Sequence, residues 1–229
     1  MRALSGVYAN YYLFGQTILD KVVVMAGIEN RFTFDFDGEA FLRKIVEQGR
    51  GGILLSGHVG NWEVAGHLLR RLDTRINVVM YDAEHEKIKS YLESVTGERN
   101  FNVIVIRDDL SHVYAIGEAL QKNELVCLHA DRFVDPGKTE QLLFLGAEAK
   151  FPVGPFALAA TFDVPVCVVF AFKESNTHYH FFGLQTPSRE ADESKHDFSR
   201  RLMRFFVKQF EEKVLLYPEQ WFNYYNFWS

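Results

Sequence analysis

The chain has 229 residues, of which 48% are hydrophobic and 24% charged, a composition typical of a globular protein with a full core. Its formal net charge of −5 at pH 7 excludes the broadly basic surface on which nucleic-acid binding depends. Both cysteines, Cys127 and Cys167, lie within apolar runs, so we expect buried reduced thiols and no disulfide framework. Because no shift of composition marks a boundary, we expect a single domain over residues 1–229.

The first 28 residues predict an amphipathic helix. Apolar residues recur near helical spacing, at Tyr12, Phe14, Ile18, Val22 and Met25. Polar side chains such as Asp20 and Lys21 make this stretch too polar to cross a bilayer unaided, and no secretory signal is evident. We therefore expect a helix over residues 1–28 that packs on the domain or lies on a membrane surface.

Strand-like and helical segments alternate along the rest of the chain. Short apolar or alternating runs predict strands at 31–36, 51–57, 75–81, 101–109, 124–131, 141–146, 165–174 and 177–184. Helical patterns fall at 38–49, 61–72, 83–97, 110–123, 155–163 and 192–216, and we expect irregular backbone or a loop at 146–154. This alternation predicts an α/β fold with a mostly parallel, twisted sheet flanked by helices on both faces.

Polar side chains follow three of the predicted strands, at residues 56–58, 107–109 and 129–132. In open parallel sheets, ligands bind beyond the carboxyl ends of the strands. We therefore expect these three strand ends to form a site.

The segment GHVGNWE, residues 57–63, carries the most specific chemistry. His58 lies at the tip of a strand, Gly60 permits a tight turn, and Asn61 is placed to cap the next helix. Glu63 falls in the first helical turn, where the helix dipole stabilises a carboxylate. Because His58 precedes the helix, Glu63 can accept a hydrogen bond from one imidazole nitrogen and leave the other to take a substrate proton. The alternative is a structural histidine near a helix cap.

Asp131 and Arg132 follow another strand, where an arginine can bind phosphate or stabilise an oxyanion; a surface salt bridge is the alternative. No spaced metal-binding motif accompanies His58 and Glu63, so we expect no metal site. The sequence also lacks a G-x-S-x-G elbow, a P-loop and a G-x-G-x-x-G strand turn. Residues 217–228 are rich in aromatic side chains, which favour a membrane interface or the sealing of the sheet.

The H-x4-E element of His58 and Glu63, embedded in GGILLSGHVGNWEVAG, resembles the first signature block of the lysophospholipid acyltransferase superfamily. The nearer match is its branch of bacterial lipid A late acyltransferases. Asp131 after a strand, the segment FLGAEAKFPVGPFALA, the proline-led strand VPVCVVF and a final Pro218-x-Gln220-Trp221 are also similar to that branch.

This resemblance implies a glycerol-3-phosphate acyltransferase-like α/β fold and transfer of a fatty acyl group from acyl carrier protein or acyl-CoA. The acceptor would be a lipid hydroxyl or amine, at the cytoplasmic face of the bacterial inner membrane, with no cofactor beyond the donor. His58 would be the base and Glu63 its partner, and we assign substrate binding to Arg107, Asp131, Arg132 and Asn61. An acyl-ester or thioester hydrolase and a non-catalytic lipid-binding relative are the alternatives.

The sequence departs from the family pattern in two places. Family members usually begin with a membrane-spanning helix, so we expect either a shortened chain or a divergent relative. The usual Tyr-Arg pair is replaced at Met80-Tyr81-Asp82, which removes a positive charge where a phosphorylated acceptor would be held. An aminolipid or a polyene pigment precursor is then an alternative acceptor to lipid A.

Overall fold

The computed structural model describes residues 2–25, 28, 31–62, 64, 72, 74–81 and 102–228. The helix predicted at 83–97 lies outside these residues, as do Glu63 and most of the helix predicted at 61–72. The prediction that Glu63 contacts His58 therefore stays a prediction.

The described helices are α1 (Arg2–Met25), α2 (Glu39–Glu47), α3 (Ser111–Gln121), α4 (Gly154–Phe162) and α5 (Lys195–Leu216). The strands are β1 (Thr33–Asp37), β2 (Gly52–Ser56), β3 (Ile76–Tyr81), β4 (Asn102–Ile106), β5 (Leu125–His129), β6 (Thr139–Phe144), β7 (Ala147–Pro152), β8 (Val166–Ser175) and β9 (His178–Gln185). Short 3-10 turns occupy Pro136–Lys138 and Pro218–Gln220. Helix α5 begins three residues later than predicted, because the Ser194 side chain caps it by accepting from the Asp197 N–H.

Seven of the described strands form one sheet in the order β1-β9-β8-β2-β5-β3-β4. The five strands from β8 to β4 run parallel to one another. Strand β9 is antiparallel to β8, and β1 pairs with β9 in parallel. Side chains alternate across the sheet: Ile53 and Leu55 join the core cluster that includes α3, α4 and α5, and Leu54 joins the one that includes α2. The predicted α/β fold, with a mostly parallel sheet and helices on both faces, is confirmed.

The prediction of irregular backbone at 146–154 is wrong over Ala147–Pro152. This segment is strand β7, which pairs antiparallel with β6 residue for residue, from Thr139 opposite Pro152 to Phe144 opposite Ala147. Leu145 and Gly146 form the connection, and both have positive φ, 51° and 83°. A two-residue turn of this handedness matches the twist of paired strands. A leucine at its first position concealed the turn in the sequence.

Helix α1 packs on the domain, which was one of the two positions predicted for it. The Asn10 amide donates to the backbone oxygens of Glu219 and Trp221, at 2.9 and 3.3 Å. The ring of Phe14 lies 5.2 Å from that of Phe222. Within the described ranges, no helix combines the length and the apolar character that crossing a bilayer requires.

The two cysteines are free thiols, as predicted. Cys167 is buried, whereas Cys127 is only partly buried. Desolvation raises the pKa of Cys127 to about 12, so this thiol stays protonated at neutral pH.

Candidate active site

His58 lies just beyond the carboxyl end of β2, a strand whose five residues are all buried. The chain turns sharply after it, because Gly60 has φ +64° and its N–H donates to the Gln220 oxygen at 2.8 Å. A Cβ at Gly60 would lie 1.9 Å from the backbone oxygen of Ala171, so only glycine fits there. The loop that presents His58 is thus held closely between β8 and the C-terminal segment.

Strand register brings Asp131 to His58. Ser56 of β2 pairs with His129 of β5, so the residues two places further on lie side by side. The Asp131 Oδ1 lies 2.8 Å from His58 Nδ1, and its Oδ2 accepts from the His58 backbone N–H at 3.0 Å. A carboxylate only accepts, so Nδ1 carries the proton and the neutral ring keeps Nε2 as its basic nitrogen.

Asp131 is 1% exposed and its charge is stabilised locally. Burial by itself would raise the pKa of its carboxyl. The imidazole of His58 and the two hydrogen bonds from His58 outweigh that effect, so the pKa lies below its usual value. Asp131 is therefore ionised at neutral pH and acts as a fixed acceptor for the imidazole.

A second histidine packs against the first. The ring centres of His58 and His129 are 4.3 Å apart, and the Trp62 ring meets His129 edge-on at 5.0 Å. Desolvation, followed by the nearby His58, lowers the pKa of His129 to about 3. His129 is therefore neutral at physiological pH and contributes no positive charge beside the base. His129 lies in one of the strand ends predicted to form the site, but no individual role was predicted for it.

A cavity of about 370 Å³ opens beside His58. It is bounded by α1, by the loop at 58–62, by Arg132 and by the C-terminal aromatic segment. Its lining residues are Phe14, Thr17, Ile18, Lys21, His58, Gly60, Asn61, Trp62, Arg132, Phe222 and Tyr224. A basic imidazole nitrogen at the edge of a largely apolar cavity suits the activation of a hydroxyl or amine on an amphipathic substrate.

A family model described as bacterial lipid A biosynthesis acyltransferase matches residues 8–229. The chain belongs to this family. It is accordingly an acyltransferase that acts in lipid synthesis. Among solved structures, it is similar to a 1-acyl-sn-glycerophosphate (LPA) acyltransferase, PlsC, from Thermotoga maritima. The two share 11% identity over 94% of this chain and 98% of that one, with a TM-score of 0.48. The search of curated proteins found no match.

Asp131 was predicted to contact substrate in this acyltransferase, whereas the contact that the structure shows is with His58. Its carboxylate is buried, and both oxygens are bonded to His58. The role of holding the imidazole, which the sequence analysis gave to Glu63, is filled at Nδ1 by Asp131. The physical reason is the pairing of β2 with β5, which the sequence does not reveal.

Arg132 and Asn61, two other predicted substrate contacts, both line the cavity. The Arg132 guanidinium lies 5.6 Å from the centre of the Tyr225 ring, and within the described part of the chain its buried Nε has no hydrogen-bond partner. Asn61 is 2% exposed. Its Oδ1 accepts from the Val64 N–H at 3.3 Å, which confirms its predicted role as a helix cap.

Arg107, the remaining predicted contact, follows β4 at the edge of the sheet. Strands β5 and β3 separate β4 from β2, a distance of about 14 Å at ordinary strand spacing. Arg107 is not among the residues that line the cavity, and its backbone N–H donates to His112 Nδ1 at 3.3 Å. The structure therefore brings together two of the three predicted strand ends.

Gln220 was noted for its place in the Pro-x-Gln-Trp segment, but its function emerges only from the fold. The side chain is 4% exposed. Its amide accepts from the Lys173 backbone N–H and donates to the Lys173 oxygen, both at 2.8 Å. Because the Gln220 backbone oxygen also holds Gly60, this residue joins β8 to the loop that carries His58.

Proposed function

We propose that this acyltransferase moves a fatty acyl group from a thioester donor, acyl carrier protein or acyl-CoA, onto a hydroxyl or amine of a lipid acceptor. One observation carries the proposal: His58 lines the cavity while Asp131 occupies its Nδ1 at 2.8 Å. This geometry leaves Nε2 as the basic nitrogen, and a general base within reach of an acceptor hydroxyl needs that form.

In the proposed reaction, the acceptor oxygen attacks the thioester carbonyl while His58 Nε2 takes the hydroxyl proton. The tetrahedral intermediate then collapses, the carbon–sulfur bond breaks, and the thiolate receives the proton from the imidazolium. Asp131 stabilises that imidazolium through Nδ1. The substrate supplies the nucleophile, so no protein side chain is acylated. We invoke no metal or organic cofactor.

Arg132 is our candidate for stabilising the oxyanion of that intermediate. Its guanidinium borders the cavity, and its buried Nε has no hydrogen-bond partner among the residues that the structure describes. A buried donor without a partner loses its hydration without compensation, and a developing oxyanion would supply the missing acceptor. Glu63 lies outside the described residues, and its contact with His58 stays a prediction.

The outer surface of α1 supports action at a bilayer, which we propose to be the cytoplasmic face of the bacterial inner membrane. Large apolar side chains are exposed along this helix, and more are exposed on the adjoining C-terminal segment: Leu4, Val7, Tyr8, Tyr11, Tyr12, Leu19, Tyr224, Tyr225 and Trp228. The ring of Tyr11 stacks on that of Tyr224, which joins the two groups into one surface. Contiguous apolar surfaces with Tyr and Trp favour a membrane interface.

The mechanism is tested by transfer assays with an acyl carrier protein thioester and a lipid acceptor. We expect His58→Ala to lower kcat by about 10⁴-fold and Asp131→Asn by about 10²- to 10⁴-fold, because the amide leaves the imidazole in the wrong tautomer. The controls are His196→Ala and Asp163→Asn, which change an exposed histidine and an exposed aspartate that do not line the cavity. Turnover that survives His58→Ala undiminished would refute the mechanism.

The acceptor and the rival activities need a separate experiment. Mass spectrometry of lipids from cells with and without the protein should show one lipid class that lacks an acyl group. The assay is repeated without acceptor: equal release of free fatty acid in both conditions indicates a hydrolase. An acyl chain that binds but never turns over indicates a lipid-binding protein. Loss of an acyl group from lipid A would identify lipid A as the acceptor, and loss from another lipid class would identify that lipid instead.

A further inference from the structure

A buried ion pair joins α1 to the sheet. Lys173 of β8 pairs with Asp20 of α1, and the two side chains are only 2% and 13% exposed. The Lys173 ammonium also donates to the Asn176 oxygen at 2.7 Å and lies 5.2 Å from the centre of the Tyr179 ring. A buried charge that loses its partner is strongly unfavourable, so each of the two side chains requires the other. The proposed reaction uses neither of them.

Hydrogen bonds lead from this pair to the loop of His58. The Tyr179 hydroxyl donates to Asp20 Oδ2 at 2.6 Å and accepts from the Asn61 amide at 3.2 Å. The same amide donates to the Thr17 backbone oxygen at 3.2 Å, one helical turn before Asp20. Asn61 therefore contacts α1 and the sheet while it caps the helix that begins beside His58.

A second route runs through the backbone of β8. The Gln220 side-chain amide is hydrogen-bonded to both backbone groups of Lys173, and the Gln220 backbone oxygen accepts from the Gly60 N–H. The Asn61 N–H donates to the Ala171 oxygen at 2.8 Å. Strand β8 thus fixes the loop directly, and its Lys173 side chain fixes α1 relative to that same loop.

The position of α1 determines the shape of the cavity. The cavity is lined by His58 and by four residues of α1 that lie near Asp20 in sequence: Phe14, Thr17, Ile18 and Lys21. The other described contacts of α1 with the domain include the Asn10 hydrogen bonds, the aromatic contacts of Tyr11 and Phe14, and the burial of Val24 in the core cluster of Tyr179 and Phe181. Large apolar side chains of α1 are nevertheless exposed, so we expect removal of the buried pair to loosen α1 before it loosens the core strands.

We propose that Asp20 and Lys173 are positioning residues. Their buried pair, relayed through Tyr179 and Asn61, seats α1 as one wall of the substrate cavity beside His58. This inference rests on the proposed acyl transfer and adds that substrate binding depends on a docked N-terminal helix. Neither residue is among those that line the cavity.

Steady-state kinetics test the proposal through the separation of KM from kcat. We expect Asp20→Asn and Lys173→Met to raise the KM of the lipid acceptor about tenfold or more and to change kcat by less than about threefold. The reason is that Asp131 holds His58 at the ends of β2 and β5, through hydrogen bonds that do not involve α1. Asp20→Glu, which keeps the charge, should restore part of the affinity. The KM of the double variant should be no higher than that of the more impaired single variant, because the pair acts as a unit.

The control is Glu140→Gln, which makes the same change of acid to amide in an ion pair with Arg200 between β6 and α5. It should leave both constants at their original values. An unchanged KM in both single variants would overturn the proposal, and so would losses that multiply in the double variant.

Hydrogen exchange supplies a readout that does not depend on activity. In Asp20→Asn, amides of α1 should exchange about tenfold faster or more, while those of β2 and β5 stay protected. Loss of protection in the strands as well would make the pair a general stabiliser and refute a positioning role. If the unmodified protein transfers no acyl group to any acceptor, the proposed function fails, and the exchange result alone still decides how α1 is seated.

Discussion

Replacing Gly60 with alanine tests how strictly the loop of His58 is held. The residue has φ +64°, a conformation that costs an alanine about 1 kcal/mol. Its new Cβ would lie 1.9 Å from the Ala171 oxygen, so the loop must move away from β8. That movement disrupts two backbone hydrogen bonds, from Asn61 to Ala171 and from Gly60 to Gln220, both 2.8 Å long.

At about 1 kcal/mol for each hydrogen bond, the expected loss is about 3 kcal/mol in the free energy of unfolding. The same movement shifts His58 away from Asp131. A misplacement of about 1 Å at a reacting group lowers the rate about 100-fold, so kcat/KM should fall by that order. Urea denaturation and the transfer assay measure the two effects separately.

Two other glycines are matched controls. Gly146 has φ +83° with open space around it, so Gly146→Ala should cost about 1 kcal/mol and leave kcat/KM unchanged. Gly38 has φ +84°, and its Cβ would meet the Gly183 oxygen at 1.9 Å, in a part of the sheet that does not border the cavity. Gly38→Ala should therefore lose stability without losing activity per folded molecule. The reasoning fails if Gly60→Ala is as stable as Gly146→Ala, or if Gly38→Ala loses equal activity.

Two further predictions concern stability. The pKa of His129 is lowered to about 3, so the unfolded chain binds a proton that the folded one excludes as the pH falls below 6.5. Between pH 6.5 and 4 the free energy of unfolding should fall by about 3 kcal/mol more in the unmodified protein than in His129→Phe. Equal falls in the two proteins over this pH range would contradict the prediction. Phe144 is fully buried among Phe151, Phe210 and Trp221, so Phe144→Ala should cost about 4 kcal/mol in urea denaturation. Leu143→Ala, at the exposed neighbouring position, should lower the free energy of unfolding by less than about 0.5 kcal/mol. Equal losses from Phe144→Ala and Leu143→Ala would show that the aromatic cluster adds no stability.

The site illustrates where prediction from sequence stops. His58 was found because its signals are local: a buried apolar strand, two glycines and an asparagine cap within ten residues. Asp131 was singled out at a strand end, but its contact with His58 joins residues 73 positions apart. Arg107 carries the same local signal as Asp131, and the strand order places it at the edge of the sheet.

Helix α1 shows the same division. Its helical spacing and its polar residues are visible in the sequence, and so is its inability to span a membrane unaided. That Asp20 faces a buried lysine of β8, while Lys21 faces the cavity, depends on the seat of the helix on the domain. The same sequence pattern fits a helix that lies on a membrane and makes none of these contacts.

The sequence by itself determined most of the succession of the described strands and helices, the apolar faces that form the core, and the placement of a histidine at a strand tip. These properties follow from side-chain periodicity and turn chemistry within about ten to fifteen residues of chain. Only the tertiary structure decided which strands are neighbours, and hence that Asp131, not Arg107, lies beside His58. Strand order is set by the burial and hydrogen bonding of the whole sheet, and no local pattern of residues records it.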